Sequence, residues 1–144
     1  WLRYQGYRTI EDCEKANVVQ YLEITGDSIP IGASTAENIL AAHPNVKVFI
    51  MQSTAHAQGA AETIKALPDV NLADYAVFAG DMDPSVIPVV TSCEDPYKGF
   101  VAIGGTDLDK ATYAIIKAML QGMEYPMITN DALEPIHCDW TTLP

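Results

Sequence analysis

The chain has 144 residues, 49% of them hydrophobic, which is enough for one domain with a real core and argues against disorder. Its formal net charge is −11 with only 8 Lys and Arg. Nucleic-acid binding draws its affinity from basic side chains that neutralise phosphates, so DNA and RNA are excluded as expected partners. No apolar run approaches the roughly 20 residues of a membrane-spanning helix.

In chain order, Tyr7–Ala16 reads as a helix, with Thr9 and Asp12 in capping-box-like spacing. The β-branched, apolar run Val18–Thr25 then reads as a strand. After a loop at Gly26–Gly32, Ser34 and Glu37 form an S-x-x-E capping pattern, and Ala36, Ile39, Leu40 and His43 share one face until Pro44 stops the helix. A second strand is expected at Val46–Gln52. The segment Ala55–Leu67 gathers Ala57, Ala60, Ala61, Ile64 and Leu67 on one side, small residues that let a helix lie close to a sheet, and Pro68 closes it. A third strand, Ala73–Ala79, runs into the turn Gly80-Asp81-Met82-Asp83, and Pro84 suits a first helical position, with Ile87 and Val90 following on one face. A fourth strand is expected at Phe100–Gly104 and a last helix at Asp107–Gln121. The tail Met123–Pro144 alternates turn residues with short extended pieces and reads as a strap with no obvious receiver in the chain.

Four strand–turn–helix repeats predict an α/β fold around an open, mainly parallel, doubly wound sheet of the Rossmann or flavodoxin-like kind, residues 1–122, followed by the strap, 123–144. Such sheets bind ligands along the carboxyl ends of their strands, where the polar turns gather. Cys13, Cys93 and Cys138 are odd in number and lack C-x-x-C spacing, so they read as buried thiols, with a Cys93–Cys138 bridge as the alternative. His43 lies at a helix end, where an imidazole suits the negative dipole terminus. His137 beside Cys138 lacks a second pair at metal-ligand spacing, and no metal or cofactor is expected. Gly104-Gly105 lacks the pattern of a phosphate-binding loop.

Arg3-Tyr4-Gln5-Gly6-Tyr7 resembles the R-x-x-G-[FY] signature that opens the second lobe of type I periplasmic sugar-binding proteins, the relatives of ribose- and galactose-binding proteins. Thr25-Gly26-Asp27, Ala41-Ala42-His43-Pro44-Asn45-Val46, Val77-Phe78-Ala79-Gly80-Asp81, Phe100–Gly105 and Ala118–Gly122 resemble that family's turns in the same order. The similarity covers almost all of the chain but only one lobe of a two-lobed family. It implies a monosaccharide or small polyol clamped between this lobe and a missing N-terminal one, the strap 123–144 leading towards that partner or towards self-association. It further implies an ABC permease as the partner in the membrane, an exported, periplasmic or membrane-anchored extracellular location, and no enzymatic reaction.

Carried over residue by residue, the resemblance assigns Asp81 to the aspartate that accepts bonds from neighbouring sugar hydroxyls, against a plain helix cap at Pro84. Arg3 matches the arginine that reaches the sugar near the hinge. Where many members carry Asn-Asp after the second strand, this chain has Ser53-Thr54, so Gln52, Ser53, Thr54 or His56 would substitute; His56 itself reads more simply as a solvated first-turn histidine. Gly104 falls where the resemblance places a glycine that admits a ligand. Trp1 and Trp140 fall near the expected hinge, for sugar stacking or lobe packing. The effector lobe of a LacI-type regulator shares this pattern. The other rivals are an Mg²⁺-dependent phosphohydrolase using the Asp81/Asp83 turn, a lone flavodoxin-like or receiver-like domain, and a lobe that pairs with its own copy.

Overall fold

The computed structural model describes residues 17–81, 83–102, 113, 116–117, 120–121 and 134–137. Three parallel strands form the sheet: β1 (Val48–Met51), β2 (Ala76–Ala79) and β3 (Tyr97–Ala102). A fourth, β4 (Glu134–His137), runs antiparallel to β3, and the order is β1-β2-β3-β4. The α/β, mainly parallel architecture expected from the strand–turn–helix repeats is therefore present. Part of the tail also finds a receiver within the chain, because β3 takes β4 on its open edge, pairing Gly99 with His137 and Ala102 with Glu134.

Alternation sets the faces. In β1, Phe49 and Met51 are buried while Val48 and Ile50 face solvent, the period of two that places successive side chains on opposite sides. The buried side meets α2 (Thr54–Lys65), whose Ala57, Ala60, Ala61 and Ile64 share one core cluster with Phe49, Met51, Val77 and Ala79. The run of small residues lets the helix axis approach the sheet, and Ile64 fills the remaining width.

Behind α2 lies α1 (Ile29–Ala42), and the two helices make the most extensive contact between described elements. They touch through Gly32 and Gly59. A Cβ on Gly59 would overlap the carbonyl oxygen of Ile29 and lie 2.5 Å from the amide nitrogen of Ala33, and one on Gly32 would overlap the backbone of His56. Helix backbones this close leave no room for any side chain at the crossing.

Element limits moved where local chemistry competed. The cap of helix α1 lies six residues before the start of the S-x-x-E pattern, because Ser28 caps it, accepting the Ile31 N–H at 3.4 Å, and Pro30 fits its first turn. Ser34 is an interior residue that donates to the Ile31 carbonyl at 3.1 Å. Helix α2 is capped by Ser53, which accepts the His56 N–H at 3.2 Å. A 3-10 turn, Leu72–Asp74, takes the front of the expected third strand, since the Asn71 side chain accepts from Ala73. Pro84 opens a second 3-10 turn, Pro84–Val86, that continues as α3 (Ile87–Ser92). Strand β3 starts three residues earlier than expected, at Tyr97, with an irregularity opposite Val77/Phe78 that leaves Lys98 outside the pairing.

The expected first strand is not formed. Residues 17–25 carry no strand assignment, and Val18, Val19, Tyr21 and Leu22 are exposed. A run of strand-forming residues becomes a strand only where its backbone groups meet a ladder. Among the described residues β1 is paired on one side only, by β2.

The cysteine reading is corrected as well. Cys93, the left-handed C-cap of α3 at φ 61°, is disulfide-bonded rather than a buried thiol. The expected helix Tyr7–Ala16, most of Asp107–Gln121, and Trp1, Trp140, Cys13 and Cys138 lie outside the described residues; residues 113, 116, 117 and 120 are helical. No helix among the described residues is long and apolar enough to cross a membrane.

Candidate functional site

Three loops meet at the carboxyl ends of β1 and β2. Strand β1 ends at Met51 and leads through Gln52 to Ser53, the cap of α2. Strand β2 ends at Ala79 and leads through Gly80 to Asp81. The third loop precedes α1: Gly26, at φ +88°, turns the chain so that Asp27 follows directly and Ser28 begins the helix.

A continuous set of hydrogen bonds ties these loops. The Asp27 carboxylate accepts the Ser53 hydroxyl at 2.5 Å. One residue on, Thr54 donates from Oγ1 to the Asp81 carbonyl at 2.9 Å, and the Tyr97 hydroxyl donates to Thr54 Oγ1 at 3.4 Å. Ser53 and Thr54 thus clamp two acidic loops to one helix start. Tyr97 is 1% exposed, and its hydroxyl pKa is pushed up to about 12. Burial is the main cause; the bond to Thr54 opposes it, and the Asp81 and Asp83 charges add to it.

The residues expected from sequence divide into three groups. Asp81, Ser53 and Thr54 come together at the rim, and the helix-cap alternative for Asp81 is removed, because Asp83 caps the turn at Pro84 by accepting the Ser85 N–H at 2.9 Å. That bond, together with the Ser85 side chain, holds the Asp83 carboxyl below its ordinary range. Gln52 is exposed beside them. His56 departs from the expected solvated position: it is 0% exposed, beneath the cap of α2, with its Nε2 3.7 Å from Asp27 Oδ1. It points inward because residues 56, 57, 60 and 64 form the buried stripe of α2. Arg3 and Gly104 lie outside the described residues.

Sequence reasoning placed Asp27 in a family-like turn without making it a site candidate, though a lone Asp between Gly26 and a Ser-x-Pro helix start is a visible signal. It caps neither helix, since Ser28 and Ser53 hold those positions, and its side chain is 63% exposed. A carboxylate left outside helix capping on a rim of hydroxyls can accept bonds from a polyhydroxy ligand. No group of three or more His, Cys, Asp or Glu able to hold a metal occurs among the described residues. A separate cleft of about 360 Å³ lies at the opposite end of the sheet, where Lys47 stands 4.0 Å over the Tyr75 ring.

No family model matches the sequence, and no curated protein does either. Solved structures do match its fold. An ABC sugar transporter subunit from Rhodobacter sphaeroides superposes at TM-score 0.78 with 18% identity, over 96% of this chain and 50% of its own. GanP, a glucose-galactose binding protein from Geobacillus stearothermophilus, gives TM-score 0.78 and 20% identity over 94% of this chain and 47% of its own. A protein described as a transcription regulator from Staphylococcus saprophyticus gives 0.69 and 15%, over 93% and 48%. The chain spans about half the length of these structures, and at this identity the likeness is one of fold: the chain has the fold of a single lobe of the type I periplasmic sugar-binding proteins.

Proposed function

We propose that this chain is the solute-binding lobe of an ABC-transporter substrate-binding protein, which closes with a second lobe over a monosaccharide or similar small polyol. The observation that carries the reading is the clamp of Ser53 and Thr54 on the Asp27 and Asp81 loops at the carboxyl ends of parallel strands. Fixed carboxylates and hydroxyls suit a ligand whose surface is mostly hydroxyl, and each charge-assisted bond contributes about 1.5–3 kcal/mol. The half-length match to sugar-binding structures supports a two-lobed whole, with hinge closure as the signal a membrane permease reads. No reaction on the ligand belongs to this proposal.

A regulator's effector lobe is favoured by the likeness to the Staphylococcus protein. The disulfide at Cys93 weighs towards export, because such bonds persist in oxidising compartments and are rare in the cytosol.

The test is an amide NMR titration of the chain with neutral monosaccharides and linear polyols at tens of millimolar. A single lobe keeps only part of the polar contacts and leaves the site open to water, so millimolar affinity is expected. Shifts should concentrate at residues 26–28, 52–54 and 79–81. A response confined to the Lys47–Tyr75 cleft, or none with any sugar, would refute the reading.

A further inference from the structure

Two features of the rim are left unexplained by the loop clamp. His56 is 0% exposed, yet among the described residues neither Nδ1 nor Nε2 has a hydrogen-bond partner, a rare condition for a buried polar side chain. Directly above it, the Asp27 carboxylate uses one oxygen, Oδ1, for two contacts among the described residues, 2.5 Å to the Ser53 hydroxyl and 3.7 Å to His56 Nε2. The carboxylate is anchored by Ser53, while the Asp27 side chain as a whole is 63% exposed.

We infer that Asp27 is a second ligand-contacting carboxylate of the sugar site, positioned by Ser53 and by the buried imidazole of His56, and that together with Asp81 it selects neutral sugars over sugar acids. The inference rests on the sugar-binding reading above. A carboxylate offers about four lone-pair sites. Ser53 fills one, and a short inward movement of Asp27 would bring His56 Nε2 into a second, closing the orphaned donor. A ligand packed over the outer face of the carboxylate, donating a hydroxyl to its other oxygen, holds Asp27 in that inward position. Occupation of the site and satisfaction of His56 are therefore one event, with His56 acting through Asp27 as a positioning residue.

Selectivity follows from charge. Asp27 and Asp81 lie on loops joined to consecutive residues, Ser53 and Thr54, so a ligand spanning the rim meets a carboxylate on each loop. Hydroxyls donate to both. A carboxylate or phosphate on the ligand meets like charge there.

The experiment pairs D-galactose, other neutral monosaccharides and linear polyols with D-galacturonate, using the chain and its Asp27→Asn and Ser53→Ala variants. Ring ¹⁵N and Cε1–H signals of His56 are followed with the amides. The bound neutral sugar should shift the His56 ring signals towards a hydrogen-bonded Nε2 in the parent chain. Asp27→Asn should erase that ring signature, weaken the neutral sugar about tenfold or more, and narrow the preference over galacturonate; Ser53→Ala should weaken it less. Neutral-sugar shifts at residues 79–81 with a silent His56 ring, or an unchanged affinity in Asp27→Asn, would overturn the inference and leave the sugar reading standing. Galacturonate binding the parent chain as well as galactose would overturn the selectivity. Silence at every loop with every sugar would overturn both. Far-ultraviolet circular dichroism and the thermal midpoint of each variant separate loss of contact from loss of fold.

Discussion

Gly59→Ala sets two physical effects against each other. In an exposed helix interior, Ala is favoured over Gly by about 1 kcal/mol. At this crossing the added methyl would overlap the Ile29 carbonyl and sit 2.5 Å from the Ala33 nitrogen, both backbone atoms of α1 that no rotamer change can move aside. Restoring ordinary contact needs the helices to part by about 1 Å, and overpacking of this kind costs about 3 kcal/mol. The net expectation is a loss of about 2 kcal/mol, a fall of about 6 °C in thermal midpoint for a chain of this size. Gly32→Ala should behave alike, because its methyl would meet the His56 backbone. Ser34→Ala, on an exposed position of α1, is the control and should change stability by less than about 0.5 kcal/mol. Urea and thermal unfolding followed by circular dichroism measure all three. If Gly59→Ala equals or exceeds the parent in stability, helix propensity has won and the close crossing of α1 and α2 is wrong.

Asp81→Ala should weaken sugar binding about 100-fold in a protein containing both lobes while leaving the fold intact, since two charge-assisted bonds to the sugar are lost; isothermal calorimetry reads it, and an unaltered dissociation constant removes Asp81 from the site. For Tyr97, the hydroxyl pKa rises from 10.0 to about 12 on folding, so its contribution to stability is complete below pH 10 and is lost as pH climbs towards 12. Tyr97→Phe should flatten that alkaline decline in urea midpoints, and an identical decline in both proteins would contradict it. For Cys93, non-reducing peptide mapping should find Cys138 as its partner: β4 pairs His137 with Gly99, next to Lys98, whose ammonium donates to the Cys93 carbonyl at 2.7 Å. Closing that loop of roughly 45 residues stabilises by about 4 kcal/mol in the chain-entropy model, so reduction should lower the midpoint sharply; a Cys13 linkage, or a free Cys93 thiol in native protein, would refute the pairing.

The strand–turn–helix rhythm was legible because apolar alternation, small-residue stripes and prolines act locally. Asp81 was legible for the same reason: it follows a short apolar strand, and the structure sets it at the end of β2. What sequence missed depended on distant partners. Ser34 and Glu37 satisfy the pattern of a helix start, but Ser28 with Pro30 supplies a better one six residues earlier, and only the completed helix shows which won. Val18–Thr25 has strand-like residues and no ladder among the described residues, which composition cannot reveal. His56 reads as polar and first-turn, yet the buried stripe of α2 takes it in, one residue before the first apolar position, Ala57. Asp27 acquires meaning only through Ser53, 26 residues away.

The antiparallel pairing of β4 bears on how the chain is made. Strands β1, β2 and β3 follow one another closely, so each can dock as soon as its own connecting helix has formed. The partner of β3 is different: residues 134–137 leave the ribosome only after a stretch of more than thirty residues beyond β3, and must then add to an edge already in place. Throughout that interval the outer ladder groups of β3 stand open, the condition under which nascent chains mispair or meet chaperones. Synthesis slowed between residues 103 and 133 should lengthen this exposed stage, and a chain truncated before residue 134 should keep it permanently, aggregating where one that includes β4 does not.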